Sequence, residues 1–195
     1  MDGFQRRREQ KKINILEAAL SLFMEFGVKK IAISEIAKEA NVSQVTIYNY
    51  FESKHNLVHE TFLYYLDKAS DEFDQIINNN TIDFPEKIKQ IVFAKKEAAQ
   101  QIHEDFYDYL MKEYTTDKNY MEKIYVEQAI PRFIVLFDEG KKHGYVDPNL
   151  SNEAILLFIQ AFHDYIQREE VYQKILPITE DIMNLIFYGI VGKRD

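Results

Sequence analysis

Cysteine and tryptophan are absent from the 195 residues, and the chain has only 6 glycines and 4 prolines. Without cysteine there is no disulfide framework, no thiolate metal site and no cysteine nucleophile. Because helix-breaking residues are scarce and 46% of the residues are hydrophobic, we expect long helices around a sizeable core. The lack of disulfides is also compatible with the reducing cytoplasm.

Long apolar runs are missing as well. No stretch approaches the roughly 18 apolar residues that a membrane-spanning helix requires. The first twelve residues, MDGFQRRREQKK, are strongly charged, and no apolar signal region follows them. We therefore predict a soluble cytoplasmic protein without membrane association.

The net charge of −8 at first argues against nucleic acid as a partner, but the charge is unevenly distributed. Residues 1–60 hold 9 basic and 8 acidic residues, whereas the remainder holds 15 basic and 24 acidic ones. Five basic residues lie within the first twelve positions: Arg6, Arg7, Arg8, Lys11 and Lys12. Such a stretch is typical both of nucleic-acid contact and of a merely solvated terminus, and the charge alone leaves the choice open.

Apolar residues recur at helical spacing along almost the whole chain, and no alternating pattern is long enough to predict a strand. We predict an all-α protein of about nine helices. These span about 13–26, 34–40, 44–50, 53–77, 85–100, 104–114, 118–143, 151–172 and 179–190. Ser53 and Ser151 are expected to cap helices, and Pro131 should kink or break the helix that contains it.

Residues 34–51, SEIAKEANVSQVTIYNYF, have the apolar spacing of a helix-turn-helix. Asn41 lies at the expected turn, where a positive φ is often required and asparagine tolerates it well. In the second helix, Ile47, Tyr50 and Phe51 are spaced to face inward, so Val45 and Asn49 point outward.

An outward face of this kind suits the major groove of DNA, where base edges present hydrogen-bonding groups and thymine methyls. Threonine, asparagine and glutamine side chains hydrogen-bond to base edges, and tyrosine and lysine reach phosphates. The alternative interpretation is two small packing helices with a polar outer surface. Apolar spacing alone does not decide between the two interpretations.

Residues 27–58, GVKKIAISEIAKEANVSQVTIYNYFESKHNLV, resemble the DNA-binding head of the TetR family of transcriptional repressors. The matching elements are Gly27, the IAKEA block, the VS turn, the TIYNYF helix and the SKHNL start of the next helix. The resemblance covers roughly residues 9–60, and FDEGKKHGYVDPNLS at 137–151 also resembles a loop of the family. It implies a helix-turn-helix domain at 1–55 and a ligand-binding and dimerisation domain at 56–195.

The resemblance implies a set of DNA-contacting residues: Ser34, Gln44, Val45, Thr46, Tyr48, Asn49, Tyr50 and Lys54. Lys54 matches the phosphate-contacting lysine of the family. The chain departs from the family pattern at Ala32, Asn41 and Val45. Ala32 replaces the usual capping residue, which puts phosphate contacts at the start of that helix in doubt.

The resemblance also implies a homodimer formed by the two C-terminal helices, 151–172 and 179–190, and a small-molecule effector. Aromatic side chains suit an apolar or cationic effector. The predicted pocket residues are His103, Phe106, Tyr107, Tyr125, Phe133, Phe137, Phe162 and His163. No metal and no cofactor is predicted.

An enzyme and an adaptor are the two rival functions. An enzyme is disfavoured because the chain has no Gly-rich phosphate loop and no nucleophile elbow, and adjacent carboxylates such as Glu104 and Asp105 point apart on a helix. We therefore predict no catalytic residues. An adaptor that has kept the helix-turn-helix but lost DNA binding is the second rival, although the polar outer face is retained.

Overall fold

The computed structural model describes residues 3–116 and 125–191, and these residues form helices and no strand. The predicted all-α class is confirmed. The α-helices are α1 (Gly3–Phe26), α2 (Ile33–Glu39), α3 (Gln44–Phe51), α4 (Lys54–Ile77), α5 (Phe84–Gln101), α6 (Glu104–Thr116), α7 (Ile130–Lys142), α8 (Asn152–Ile166), α9 (Glu169–Ile175) and α10 (Thr179–Val191). A π-helical turn, Tyr125–Ala129, precedes α7, and a 3-10 turn, Leu176–Ile178, precedes α10.

The chain divides into two compact units. The first contains Met1–Ser70 and Gln101–Glu113, and the second contains Asp71–Gln100 and Tyr114–Asp195. The start of α6 thus belongs to the unit that holds the helix-turn-helix. The predicted division into a helix-turn-helix domain at 1–55 and a ligand-binding and dimerisation domain at 56–195 stays a prediction.

The first unit has a core of apolar side chains from α1 to α4 and α6. Ile15, Ala19 and Phe23 on α1 are fully buried, as are Ile36 of α2 and Ile47 of α3. The three positions on α1 repeat at four-residue spacing, so this helix turns one apolar stripe inward. The core thereby fixes which face of α3 remains outside.

The second unit has its own core, formed by ten buried side chains: Ile77, Phe84, Ile88, Ile91, Val92, Leu136, Phe137, Val146, Ile155 and Phe187. Gly140 permits close packing there, because a Cβ at that position would lie 2.8 Å from the Phe84 ring. One charged side chain is buried beside this core. Lys87 is 2% exposed, and its Nζ donates to the Ile77 carbonyl and to Glu139, each at 2.7 Å.

Local signals in the sequence explain several helix ends. The Ser53 hydroxyl accepts from the Asn56 N–H, and that of Ser151 accepts from the Ala154 N–H, which confirms both predicted caps. At Pro131 the predicted interruption is confirmed, because α7 begins at Ile130 directly after the π-helical turn. Residues 118–124 of the predicted helix 118–143 lie outside the described residues.

One prediction about helix extent was wrong. The predicted helix 151–172 ends at Ile166, and α9 begins at Glu169 after Arg168, whose backbone is extended (φ −68°, ψ 135°). The error arises because apolar spacing reports which face is buried and not where exposed turns begin or end. The first helix begins at Gly3, ahead of its apolar pattern, so the basic stretch Arg6–Lys12 forms helical turns of α1.

Within the described residues, no helix is both long enough and apolar enough to cross a bilayer.

Candidate nucleic-acid interface

The turn between α2 and α3 sets the geometry of the helix-turn-helix. Asn41 adopts φ +52°, which confirms the positive φ expected at this position. The Val42 N–H donates to the Ala37 carbonyl at 2.9 Å and closes the turn. Ala37 is buried, and its small side chain lets the two helices approach closely.

The start of α2 has only half of a capping arrangement. The Glu35 carboxylate accepts from the Ala32 N–H at 2.7 Å. Alanine offers no side-chain acceptor in return, so the first turn of α2 keeps N–H groups without a side-chain partner from residue 32. Ser34 is exposed on this turn, at the position where the family resemblance predicts a DNA contact.

Ser43 caps α3. Its hydroxyl oxygen accepts from the Thr46 N–H at 3.0 Å, and the hydroxyls of the two residues are 2.8 Å apart. Ser43 has an extended backbone, as an N-cap residue requires. The Thr46 hydroxyl is therefore engaged at the cap, while its half-buried side chain still borders the outer face of the helix.

The outer face of α3 presents four exposed side chains. Gln44, Val45, Tyr48 and Asn49 are exposed, with Val45 at 68%. The opposite face is apolar and anchors the helix, since Ile47 is fully buried. An amide-bearing and methyl-bearing surface on a rigidly seated short helix has the chemistry needed to read base edges.

Tyr50 is half-buried and turned toward α1. Its hydroxyl donates to the Arg8 carbonyl at 3.1 Å, and the Arg8 guanidinium lies 5.8 Å from the ring centroid. This agrees with its predicted place on the inward-facing side of α3. Its predicted DNA contact remains a prediction, and the structure adds a direct link from α3 to the basic turns of α1.

Lys54, at the start of α4, is the predicted phosphate-contacting residue. Its Nζ donates to the Val28 carbonyl at 2.8 Å. An ammonium has three N–H donors, so this bond anchors the head group and leaves donors for a further acceptor.

A basic groove runs beside α3 in the same unit. Its lining includes Arg7, Arg8 and Lys11 of α1, together with Asn49 and Tyr50 of α3. Positive charge next to an exposed amide is the arrangement that a phosphate contact beside a base contact requires. The basic residues singled out from the sequence thus lie next to the predicted recognition helix.

The sequence did not predict that the turn between α1 and α2 is held by a residue of α6. Asp105 of α6 accepts from the Lys29 N–H at 2.8 Å, and the Lys29 Nζ lies 2.6 Å from the same carboxylate. Burial raises the pKa of Asp105, but the Lys29 ammonium and the N–H groups of Lys29 and Val28 outweigh burial and hold that pKa below its usual value. No local sequence signal identifies this pair, because 76 residues separate its members.

The predicted effector residues fall into both units. His103, Phe106 and Tyr107 belong to the first unit. Phe106 is fully buried, and its ring lies 5.9 Å from that of Phe23. The His103 Nδ1 accepts from the Asp105 N–H at 3.1 Å, so this ring caps the start of α6.

The remaining effector residues belong to the second unit. Phe133 and Phe137 stack with ring centroids 6.3 Å apart, and Phe137 is part of the core. Phe162 and His163 are half-buried, and burial lowers the pKa of His163 despite the neighbouring Asp164. The side chain of Tyr125 lies outside the described part of the structure, and the effector pocket stays a prediction.

Comparison with known proteins supports the helix-turn-helix of the first unit. Residues 15–61 match the family model described as bacterial regulatory proteins, tetR family. The HTH-type transcriptional regulator YhgD of Bacillus subtilis is 35% identical over 86 residues, which cover 44% of this chain and 44% of that protein. The chain thus spans under half the length of that relative.

Two further similarities extend over most of the chain. The HTH-type transcriptional repressor KstR2 of Mycobacterium tuberculosis is 23% identical over 82% of this chain and 81% of its own length. The structure of the regulator FadR from Bacillus subtilis in complex with stearoyl-CoA covers 91% of this chain and 98% of that chain. Its TM-score is 0.57 and its identity 19%, so the likeness concerns the fold.

These relatives are named as transcriptional regulators, which agrees with the prediction that the chain is not an enzyme. Residues 15–61 therefore form a domain of the tetR family of bacterial regulatory proteins, and the chain as a whole has a fold similar to that of the regulator FadR.

Proposed function

We propose that the chain is a ligand-responsive transcriptional repressor that binds a near-palindromic operator as a homodimer and is released by a small-molecule effector. The observation that best supports this proposal is the outer face of α3. It exposes Gln44, Val45 and Asn49 on a helix that Ile47 fixes in the core. Cationic side chains lie beside this face, on α1 (Arg7, Arg8 and Lys11) and at Lys54 of α4.

In this proposal α3 enters the major groove. The amides of Gln44 and Asn49 hydrogen-bond to base edges, and Val45 touches a thymine methyl. Each good base contact discriminates between sequences by about 1–3 kcal/mol. Lys54 and the basic side chains of α1 contact phosphates, which position the helix without reading the sequence.

The exposed apolar surface of the second unit supports the homodimer. On α8, Leu157, Phe158 and Tyr165 are exposed, and on α10, Leu185 is 73% exposed and Tyr188 is also exposed. Large apolar side chains clustered on two helices are typical of an interface with a second copy. Two-fold symmetry then places the two α3 helices in successive major grooves, roughly 34–36 Å apart.

The effector in this proposal is an apolar or cationic small molecule held by aromatic side chains among those predicted from the sequence. Support comes from those aromatic residues and from the similarity to FadR, a regulator solved with stearoyl-CoA. α4 is continuous from Lys54 to Ile77 and contributes to both units, so a shift of its C-terminal end reaches Lys54. A coupling of about 1–3 kcal/mol gives roughly 5- to 150-fold release.

In vitro transcription tests the direction of regulation. A duplex selected by the purified protein is placed across a promoter, and transcript is measured with increasing protein. The proposal predicts a falling transcript level, with a promoter that lacks the selected duplex as the control. An unchanged or rising level would contradict repression. Operator DNA of bacteria lies in the cytoplasm, so cytoplasmic location is part of the proposal.

A further inference from the structure

The turn between α1 and α2 receives bonds from two helices that are distant in the sequence. At the start of α4, the Lys54 Nζ donates to the Val28 carbonyl at 2.8 Å. In the first turn of α6, Asp105 accepts from the Lys29 N–H at 2.8 Å. Both contacts lie within the first unit.

The two bonds use the same peptide group. The Val28 carbonyl and the Lys29 N–H belong to one planar peptide unit, whose atoms cannot rotate independently. The Asp105 carboxylate accepts from the N–H of this peptide, and the Lys54 ammonium donates to its carbonyl. Because hydrogen bonds through one peptide group polarise each other, the Asp105 bond also strengthens the acceptor that Lys54 uses.

From this geometry we propose that the Val28–Lys29 peptide couples α6 to DNA binding, with Asp105 as a positioning residue for the Lys54 ammonium. The inference rests on the proposed function and adds a regulatory route to it. With α6 seated, the Val28 carbonyl holds Lys54 in the place from which its free donors reach a phosphate. When α6 is displaced, the peptide moves and Lys54 loses that anchor.

The first turn of α6 packs closely against the α1–α2 turn, so a shift of α6 also moves this turn. The His103 N–H donates to the Met24 carbonyl at 2.9 Å. Gly27 adopts φ +81°, and a Cβ there would lie 2.8 Å from the His103 Nδ1. The Asp105 side chain is only 16% exposed, and the Lys29 ammonium closes over it at 2.6 Å. The first turn of α6 therefore has little room to move independently of the α1–α2 turn.

Lysine acetylation in the absence of DNA tests the coupling. The full chain is treated with an N-hydroxysuccinimide acetate reagent, and the rate at each lysine is measured by mass spectrometry. We expect Asp105→Asn to speed acetylation of Lys54 about threefold to tenfold relative to Lys11, which is exposed on α1. Glu104→Gln removes one charge from the same turn of α6 and is expected to leave the Lys54 rate unchanged. An unchanged Lys54 rate in folded Asp105→Asn overturns the inference.

A second variant covers the case in which Asp105→Asn does not fold. Lys29→Met removes the ammonium from the carboxylate, and this side chain is 86% exposed, so the core is left intact. The Lys29 N–H bond remains, and we expect a smaller rise of about twofold in the Lys54 rate. A Lys54 rate equal to that of wild type in Lys29→Met would then count against the coupling.

Operator binding supplies the functional arm, measured by fluorescence anisotropy on a duplex that the wild type selects. Asp105→Asn is expected to weaken binding about tenfold and to lower the salt slope by about one unit, as loss of one phosphate contact does. The double variant with Lys54→Ala should bind like Lys54→Ala alone. Losses that add would contradict a route through Lys54. If wild type binds no duplex, the proposed function fails, while the acetylation rates still decide the coupling.

Discussion

At the scale of single residues, Asn49 and Lys54 are expected to differ in how they affect DNA binding. Asn49 is exposed on the outer face of α3, whereas the Lys54 ammonium is anchored on a backbone carbonyl beside it. We predict that Asn49→Ala changes the preferred base at one position of each half-site. Lys54→Ala should weaken binding to all sequences by about tenfold and lower the salt slope by about one unit.

Anisotropy titrations at several salt concentrations, on the selected duplex and on single-base variants of it, separate the two effects. Lys38→Ala, on the exposed surface of α2, is a matched control for the loss of one positive charge. A Lys54→Ala protein that changes sequence preference and keeps the full salt slope would reverse the assignment.

The Asp105 carboxylate should make the stability of the protein depend on acid pH. Its pKa in the folded state is below the ordinary 3.8, so the unfolded chain binds the proton first as the pH falls. The stability it contributes is therefore complete above that ordinary pKa and is lost as the pH drops through the folded pKa. Urea unfolding of wild type and Asp105→Asn should show a stability difference at pH 6 that shrinks below about pH 4.

Glu104→Gln is the control for this pH series, because Glu104 is an exposed carboxylate on the same turn. Its difference from wild type should stay near zero throughout. A difference between wild type and Asp105→Asn that grows toward acid pH would contradict the assigned ion pair.

At the scale of helices, the sequence predicts what local chemistry decides. Asn41 identifies the positive φ of the turn, and Ser53 and Ser151 identify two helix starts, because each effect depends on neighbours within four residues. The end of α8 at Ile166 was not predicted, since the apolar pattern continues through it. Contacts between distant residues, such as that of Asp105 with Lys29, leave no periodic signal.

Lys87 is the clearest case of a helix contact that periodicity does not reveal. Its ammonium caps the carbonyl of Ile77 at the end of α4 and pairs with Glu139 on α7. We predict that Lys87→Met lowers the free energy of unfolding by about 2–4 kcal/mol, because it leaves a carboxylate and a carbonyl without their buried partner. Urea unfolding measures the loss.

Lys89→Met is the matched control on the same helix. The Lys89 side chain is 75% exposed and lies 3.6 Å from Glu86. An exposed pair of this kind contributes about 0–1 kcal/mol, so its loss should have little effect. Equal losses from the two variants would show that the buried pair has no special part in the stability of α5.

At the scale of the whole molecule, it is the proposed homodimer that brings two α3 helices to one duplex in the proposed function. We predict that the protein sediments at about twice the 23.2 kDa of one chain at micromolar concentration. Leu185→Glu places a charge in the exposed apolar face of α10 and should shift the equilibrium to monomer. Sedimentation velocity distinguishes the two species.

Phe93→Glu is the control for the dimer, because Phe93 is 60% exposed on α5 and not on the two C-terminal helices. It should leave the dimer intact. A Leu185→Glu protein that stays dimeric would exclude α10 from the interface, and a wild type that sediments as a monomer would contradict the proposed dimer.

The proposed function requires α3 to read a DNA sequence as part of a two-fold symmetric protein. Selection from a pool of random duplexes by the purified protein, followed by sequencing of the bound fraction, measures this property. We predict enrichment of an inverted repeat whose half-sites are about one helical turn apart. Absence of any enriched motif at low salt, or enrichment of a single asymmetric site bound by one chain, would contradict it.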